Sequence, residues 1–269
     1  MENTLSENEE TSVRSIDVIA SVNSECVAKN NLFSSPLFRQ GDVHLIVANG
    51  FSSIGKAYNH GISKAKQDIL VFAHQDVYLP KGWHTVLENA VQQIEAIDNS
   101  WAVVGIIGVD ERWRIRGRCW STGLKQEIGN TINRPVPGVS FDEVVIILRR
   151  ESGLTFDVDL PGFHLYGTDI VQAAIQAGFG AHIINAPVIH NSLPVTWLDS
   201  GFGNAYKYMQ KKWSRQLPIK TPVTTITKYA WPLVKQRGRY LFSRKKREQH
   251  RRLANPSEKA IELGYESGL

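Results

Sequence analysis

Cysteine is scarce in this chain: Cys26 and Cys119 are the only two among 269 residues. Two cysteines exclude a disulfide scaffold and a cysteine-rich zinc site, and they fit a reducing compartment. Long apolar runs are missing as well. The longest, WAVVGIIGV over 101–109, is about half a bilayer span, so no transmembrane helix is expected. The opening MENTLSENEETSVRS has neither a basic start nor an apolar stretch, so it is not read as a signal peptide. Residues 1–14 read instead as a disordered leader. No G-x-G-x-x-G follows any strand candidate, which argues against a dinucleotide fold. What is present is ordinary globular material, 42% apolar and 21% charged, enough for one large α/β domain or two small ones.

The net charge of +5 conceals an asymmetry. Residues 228–252 hold ten Lys/Arg and one acid, Glu248, a local charge of +9 that leaves the rest of the chain at −4. The basic character therefore belongs to a C-terminal extension, 216–269. The body is mildly acidic, and no nucleic-acid partner is implied. Trp231, Tyr240, Leu241 and Phe242 interleave with the cations. That pattern suits peripheral contact with an anionic membrane, and equally a helix packed on the body. The expected location is cytoplasmic, at the inner face of the membrane where the extension makes that contact.

Strand candidates at 15–22, 42–48, 68–73, 101–109 and 143–149 alternate with helix candidates at 52–66 and 80–97. Later come a helix at 166–178, a strand or strand pair at 181–190 broken at Pro187, and an amphipathic helix at 197–214. In the second segment Ile54, Ala57, Tyr58, Gly61, Ile62 and Ala65 make one stripe at helical spacing. Alternation of this kind predicts a mostly parallel central sheet with helices on both faces. The stretch 110–140, with Arg112, Arg114, Arg116 and Arg118 among glycines and prolines, reads as long loops over a site.

In such sheets ligands gather beyond the carboxyl ends of the strands. The first strand candidate ends in Ser21-Val22-Asn23, the second in Asn49-Gly50, and the third in His74-Gln75-Asp76. Each cluster is also ordinary turn chemistry, but the third follows a fully apolar strand directly. Gly50 to Lys56 spells G-x-x-x-x-G-K, a phosphate loop with Ala57 where Ser or Thr must hold magnesium. A solvated Lys after a glycine turn is the simpler reading. Asp169 opens a helix candidate, where Thr168 or Asp169 serves equally well as a cap, and His190 ends a strand.

Together, the Asn23 strand end, Asn49-Gly50, the Ala57-Tyr58-Asn59-x-Gly61 helix, Asp76, Trp83, Asp169 and His190 resemble the GT-A-fold glycosyltransferases of the family-2-like group. "LVFAHQDVYLPKGW" and "FHLYGTDIVQAAIQAG" look most like its branch with H-x-D-V in place of D-x-D. The resemblance covers roughly 15–195 and implies one GT-A domain over 15–215. It implies a nucleotide-diphosphate sugar donor near Ser21, Asn23, Asn49, Asn59, His74, Gln75 and Asp76. It implies a divalent metal, Mn²⁺ or Mg²⁺, at Asp76 and His190, with His74 replacing the first acid. Asp169 would be the general base of an inverting transfer to the hydroxyl of a glycan or lipid-linked acceptor, with His164 and Tyr166 shaping the acceptor pocket. Asp142 and Glu143 both stand as candidates near the sugar. The rival readings are a nucleotidyltransferase or a non-catalytic binding module on the same fold, and a triphosphatase built on Gly55-Lys56.

Overall fold

The computed structural model describes residues 14–39 and 43–266. The leader expected over 1–14 therefore lies outside the described residues except for Arg14, whose guanidinium pairs with Glu88 and Glu95.

In chain order the elements are β1 (Ile16–Ser21), α1 (Glu25–Asn30), β2 (Val43–Ala48), α2 (Ile54–Lys64), β3 (Ile69–Ala73), β4 (Val77–Tyr78), α3 (Trp83–Glu95), β5 (Trp101–Gly105) and β6 (Ile107–Asp110). There follow β7 (Ile115–Ser121), β8 (Gln126–Asn130), β9 (Val136–Phe141), β10 (Val145–Arg149), α4 (Tyr166–Gln176), β11 (Gly180–Ile183), β12 (Val188–His190) and α5 (Ser200–Lys212). A short pair, β13 (Ile219–Lys220) and β14 (Thr225–Ile226), precedes α6 (Trp231–Arg247) and α7 (Pro256–Glu262).

The central sheet runs β2-β1-β3-β10-β5-β11-β9-β6-β7-β12-β4, with β8 pairing on β7. β1 is parallel to both neighbours, as are β5 and β11 and β7 and β12, whereas the remaining pairs are antiparallel. The α/β class holds, but the sheet is mixed rather than mostly parallel. Antiparallel β10 slots between β3 and β5, an insertion that the hydrophobic pattern of a buried strand cannot reveal.

Side-chain alternation splits the core into two layers. Leu70 and Phe72 face one layer with Ile19, Tyr58, Tyr166 and Ile170. Ile69, Val71 and Ala73 face the other with Val18, Trp83, Leu87 and Trp101. Thus α2 and α4 cover one face, and α1 and α3 the other. The α3 helix begins three residues after Pro80, because Pro80-Lys81-Gly82 forms a turn with Gly82 at φ 80°, a conformation that suits glycine.

Two expectations need correction. WAVVGIIGV is two strands: β5 pairs with β10 and β11, and β6 with β7 and β9. The Phe141 ring lies over this bend, so close to Gly105 that a Cβ there would sit 2.6 Å from it. The supposed loops at 110–140 contain β7, β8 and the start of β9. Their signal was a period of two: Gly117, Cys119 and Ser121 are buried while the arginines alternate with them. Arg114 and Arg116 pair with Asp110, and Arg118 with Glu127.

The basic extension packs on the body. Leu233 and Tyr240 of α6 enter the same core layer as Phe202 and Tyr206 of α5. Beyond α6 the chain runs beside β12, where Asn191 accepts from the Leu253 amide at 2.7 Å and donates to its carbonyl at 2.9 Å.

Candidate functional site

The carboxyl ends of β1, β2 and β3 open onto a pocket of about 930 Å³. It is lined by Ser21, Asn23, Asn49, His74, Gln75 and Asp76, so six of the seven donor residues expected from the sequence come together. Tyr58 and Tyr166 line it as well, and Phe33, Phe51 and Phe163 add rings to its wall. The geometry is braced. Gln75 donates to Asn23 Oδ1 at 2.5 Å and accepts from the Asn23 and Ser24 amides at 3.1 and 3.0 Å. With its nitrogen turned toward the carbonyls, Asn49 donates to Val22 at 2.8 Å. Asn59 is the exception. Its amide bridges the Phe156 backbone, donating at 2.7 Å and accepting at 2.9 Å, so it holds α2 to a loop and is not among the lining residues.

At the pocket rim His74, Asp76 and His190 offer ligand atoms that all lie within 4.8 Å of one another. His74 follows β3, Asp76 precedes β4, and His190 ends β12, whose pairing with β4 sets His190 opposite Val77. His190 Nε2 lies 3.4 Å from Asp76 Oδ1. Tyr166 donates its one hydroxyl proton to the Glu143 carbonyl at 3.0 Å. It must therefore accept from His74 Nε2, 2.7 Å away, which leaves the His74 Nδ1 lone pair for a ligand. Burial opposes charge on Asp76, but His190 and His74 outweigh it and hold the carboxyl well below its ordinary value. Burial lowers the His74 pKa. At His190 burial is outweighed by Asp76, and the pKa is raised. Two imidazoles and one carboxylate on one side of a polar pocket fit a divalent transition ion such as manganese.

Sequence reasoning missed Arg252. Its guanidinium lies 3.9 Å from Asp76 Oδ2 and donates to the Asn191 carbonyl at 3.1 Å. The extension, read from sequence as a segment for membrane contact or for packing on the body, brings this residue beside Asp76. The only signal was the charge run itself, because docking along β12 is a tertiary event.

Asp169 does not reach the pocket. Its side chain is 4% exposed, Lys212 Nζ lies 2.7 Å from Oδ1, and Trp213 Nε1 donates to Oδ1 at 2.7 Å. Lys212 also pairs with Asp157 at 2.6 Å. Burial outweighs Lys212 and raises the Asp169 pKa. The carboxylate ties α4 to the end of α5. His164 is not among the lining residues; it packs on Phe202, with Nε2 3.9 Å from Asp199. The G-x-x-x-x-G-K stretch is explained by packing. Gly55 lies inside α2 so close to the chain that a Cβ would sit 2.2 Å from the Asp157 carbonyl oxygen.

Burial, reinforced by the charge of Asp142, pushes the Glu143 carboxyl from 4.5 up to about 8. Between these values the folded protein keeps a proton that the unfolded chain has released, so this group's contribution to stability falls as pH rises through that window. Glu143→Gln is expected to flatten melting temperature against pH over that range. An unchanged slope would contradict the assignment.

Residues 31–149 match the family model described as glycosyl transferase family 2. Over that stretch the chain is similar to this family, and its fold is the GT-A fold. GalNAc-T7, solved with UDP, GalNAc and Mn²⁺, superposes with a TM-score of 0.51 at 12% identity, over 76% of this chain and 50% of that one. The likeness shows the fold, and the match spans half of that longer chain. A mannosyltransferase from Pyrobaculum calidifontis with GDP-Man and Mn²⁺ matches at TM-score 0.47 and 13% identity, over 96% of this chain and 77% of that one. In sequence, the chain is 27% identical over 172 residues to "ATP synthase subunits region ORF 6" of Fuscovulum blasticum, covering 59% of this chain and 68% of that protein.

Proposed function

We propose that this chain is a family 2 glycosyltransferase that transfers a sugar, with inversion, from a nucleotide-diphosphate sugar to an acceptor hydroxyl. The observation that carries the reading is the convergence of His74, Asp76 and His190 on the rim of the pocket formed by the strand ends. The acceptor oxygen bonds to the anomeric carbon as its bond to the diphosphate oxygen breaks. The diphosphate departs with the electron pair, and the hydroxyl proton passes to a base. His74, Asp76 and His190 would hold Mn²⁺ or Mg²⁺, which neutralises charge developing on the leaving diphosphate. Asn23, Asn49 and Gln75 supply polar edges for the nucleoside, and the rings of Phe33, Phe51 and Phe163 give its base apolar walls. The acceptor hydroxyl belongs to a glycan or lipid-linked molecule.

A thermal-shift screen of nucleotide diphosphates and nucleotide sugars, with and without manganese, tests the donor assignment. A ligand at 100 times its Kd adds about 2.7 kcal/mol to the folded state. Stabilisation by no nucleotide under either condition would defeat it. Nucleoside triphosphate turnover, expected of a phosphate loop, should not occur, since Ala57 offers no magnesium ligand.

Arg252, beside Asp76, supplies a fixed positive charge for the diphosphate. Arg252→Ala is expected to weaken nucleotide-diphosphate binding about tenfold in calorimetry, with Arg252→Lys intermediate. Equal affinities in all three proteins would remove it from the site.

Among the described residues no helix is long and apolar enough to cross a membrane. Surface contact is a separate matter. Trp231, Val234, Leu241 and Phe242 of α6 are exposed and fall on one side at helical spacing. Lys235, Arg239 and Lys246 are exposed beside them. This face suits an anionic lipid surface. Phe242→Glu is expected to reduce co-sedimentation with anionic liposomes severalfold. Equal sedimentation of the wild type with neutral and anionic liposomes would refute lipid contact.

A further inference from the structure

A second cavity, of about 350 Å³, lies on the far side of His190 from the donor pocket. Its walls are mainly apolar: Ile107, Cys119, Leu124, Ile128 and Val144 from the strands and turns, and Tyr240 from α6. Polar side chains line it too, among them Asp142, His190, Gln126, Gln236 and Arg247. His190 also belongs to the cluster on the donor rim, so the Asp142 and His190 side of the cavity adjoins the place where a donor's reacting carbon would sit. Leu193 and Val195 line the cavity yet are 51% and 53% exposed, which marks them as its mouth. Arg247 stacks over Tyr240 at 4.2 Å and donates to the Val195 carbonyl at 2.9 Å, so α6 closes one wall.

We infer that this cavity binds the apolar portion of the acceptor, an alkyl or aryl group attached to the hydroxyl-bearing moiety that reaches Asp142 and His190. The inference rests on the transferase reading and deepens it. A purely saccharide acceptor would lose hydration against the apolar side chains that make up most of these walls. A hydrocarbon group loses nothing polar and gains by leaving water. The cavity is within the size range of sites for small ligands, roughly 300–1,000 Å³. The closing helix also carries the exposed apolar and basic face described above, which would set the mouth close to a lipid surface.

The test uses octyl and methyl β-glucosides as probes, below the micelle concentration of the former, with direct calorimetry on the full chain and no donor present. Octyl glucoside is expected to bind at least about tenfold more tightly than methyl glucoside. Leu193→Trp and Val195→Trp, each filling the mouth from an exposed position, should each weaken octyl binding by at least about tenfold. Manganese-dependent binding of nucleotide diphosphates should survive in both variants and confirms that they fold. Equal binding of the two probes, or octyl binding that both variants leave unchanged, overturns the inference. Failure of the wild type to bind any nucleotide diphosphate would instead sink the donor reading, so the two failures are separable.

Discussion

Asp76→Ala is expected to weaken manganese-supported binding of nucleotide diphosphates by at least roughly 100-fold and to leave weak binding in chelator almost unchanged. Even outer partners of metal ligands are worth about 10–100-fold, and Asp76 is the only carboxylate in the cluster with His74 and His190. Its loss also frees Arg252 from its acidic neighbour, which would retain some attraction for the diphosphate. The fold should tolerate the change, since the sheet ladder there uses backbone groups: the Asp76 carbonyl accepts from the Asn191 amide at 2.8 Å. Manganese titration followed by electron paramagnetic resonance checks the site independently of catalysis. Tight manganese binding by the variant would remove Asp76 from the metal site, and donor binding indifferent to metal in the wild type would remove the metal itself.

Asp169→Asn is expected to act first on stability. Removing one partner of a buried ion pair typically costs about 3–5 kcal/mol. The lower end applies here, because Lys212 is 28% exposed and keeps Asp157. For a chain of this size a loss of that order lowers Tm by roughly 5–10 °C. Transfer per folded molecule should remain within about tenfold of wild type, because Lys212 and Trp213 hold the carboxylate away from the pocket. The base role implied by the family resemblance makes the opposite forecast: an unchanged Tm and a rate reduced by roughly two to four orders of magnitude. Melting and initial-rate measurements on the same preparation separate the two.

Local pattern alone settled a good deal about this protein. The apolar β-branched runs became β1, β2 and β3, and the stripe from Ile54 to Ala65 became α2, because burial of one face dictates spacing within a single element. The polar groups after each strand were legible for the same reason: strand ends of an α/β sheet are where a chain can leave polar atoms facing a ligand. Ser21, Asn23, Asn49, His74, Gln75 and Asp76 were all reached in this way.

Tertiary structure decided what depends on neighbours distant in sequence. Antiparallel β10 and the bend between β5 and β6 are matters of pairing, and pairing leaves no trace in the periodicity of one buried strand. Where the side chains of Asn59 and Asp169 are held was equally illegible: Phe156 engages the amide of the one, and Lys212 and Trp213 the carboxylate of the other. Arg252 looks like one cation in a solvated run until the Asn191–Leu253 hydrogen bonds carry it to Asp76. The residue types are written in the chain, but whether a polar atom remains free for a ligand depends on which partners folding brings within hydrogen-bonding distance of it.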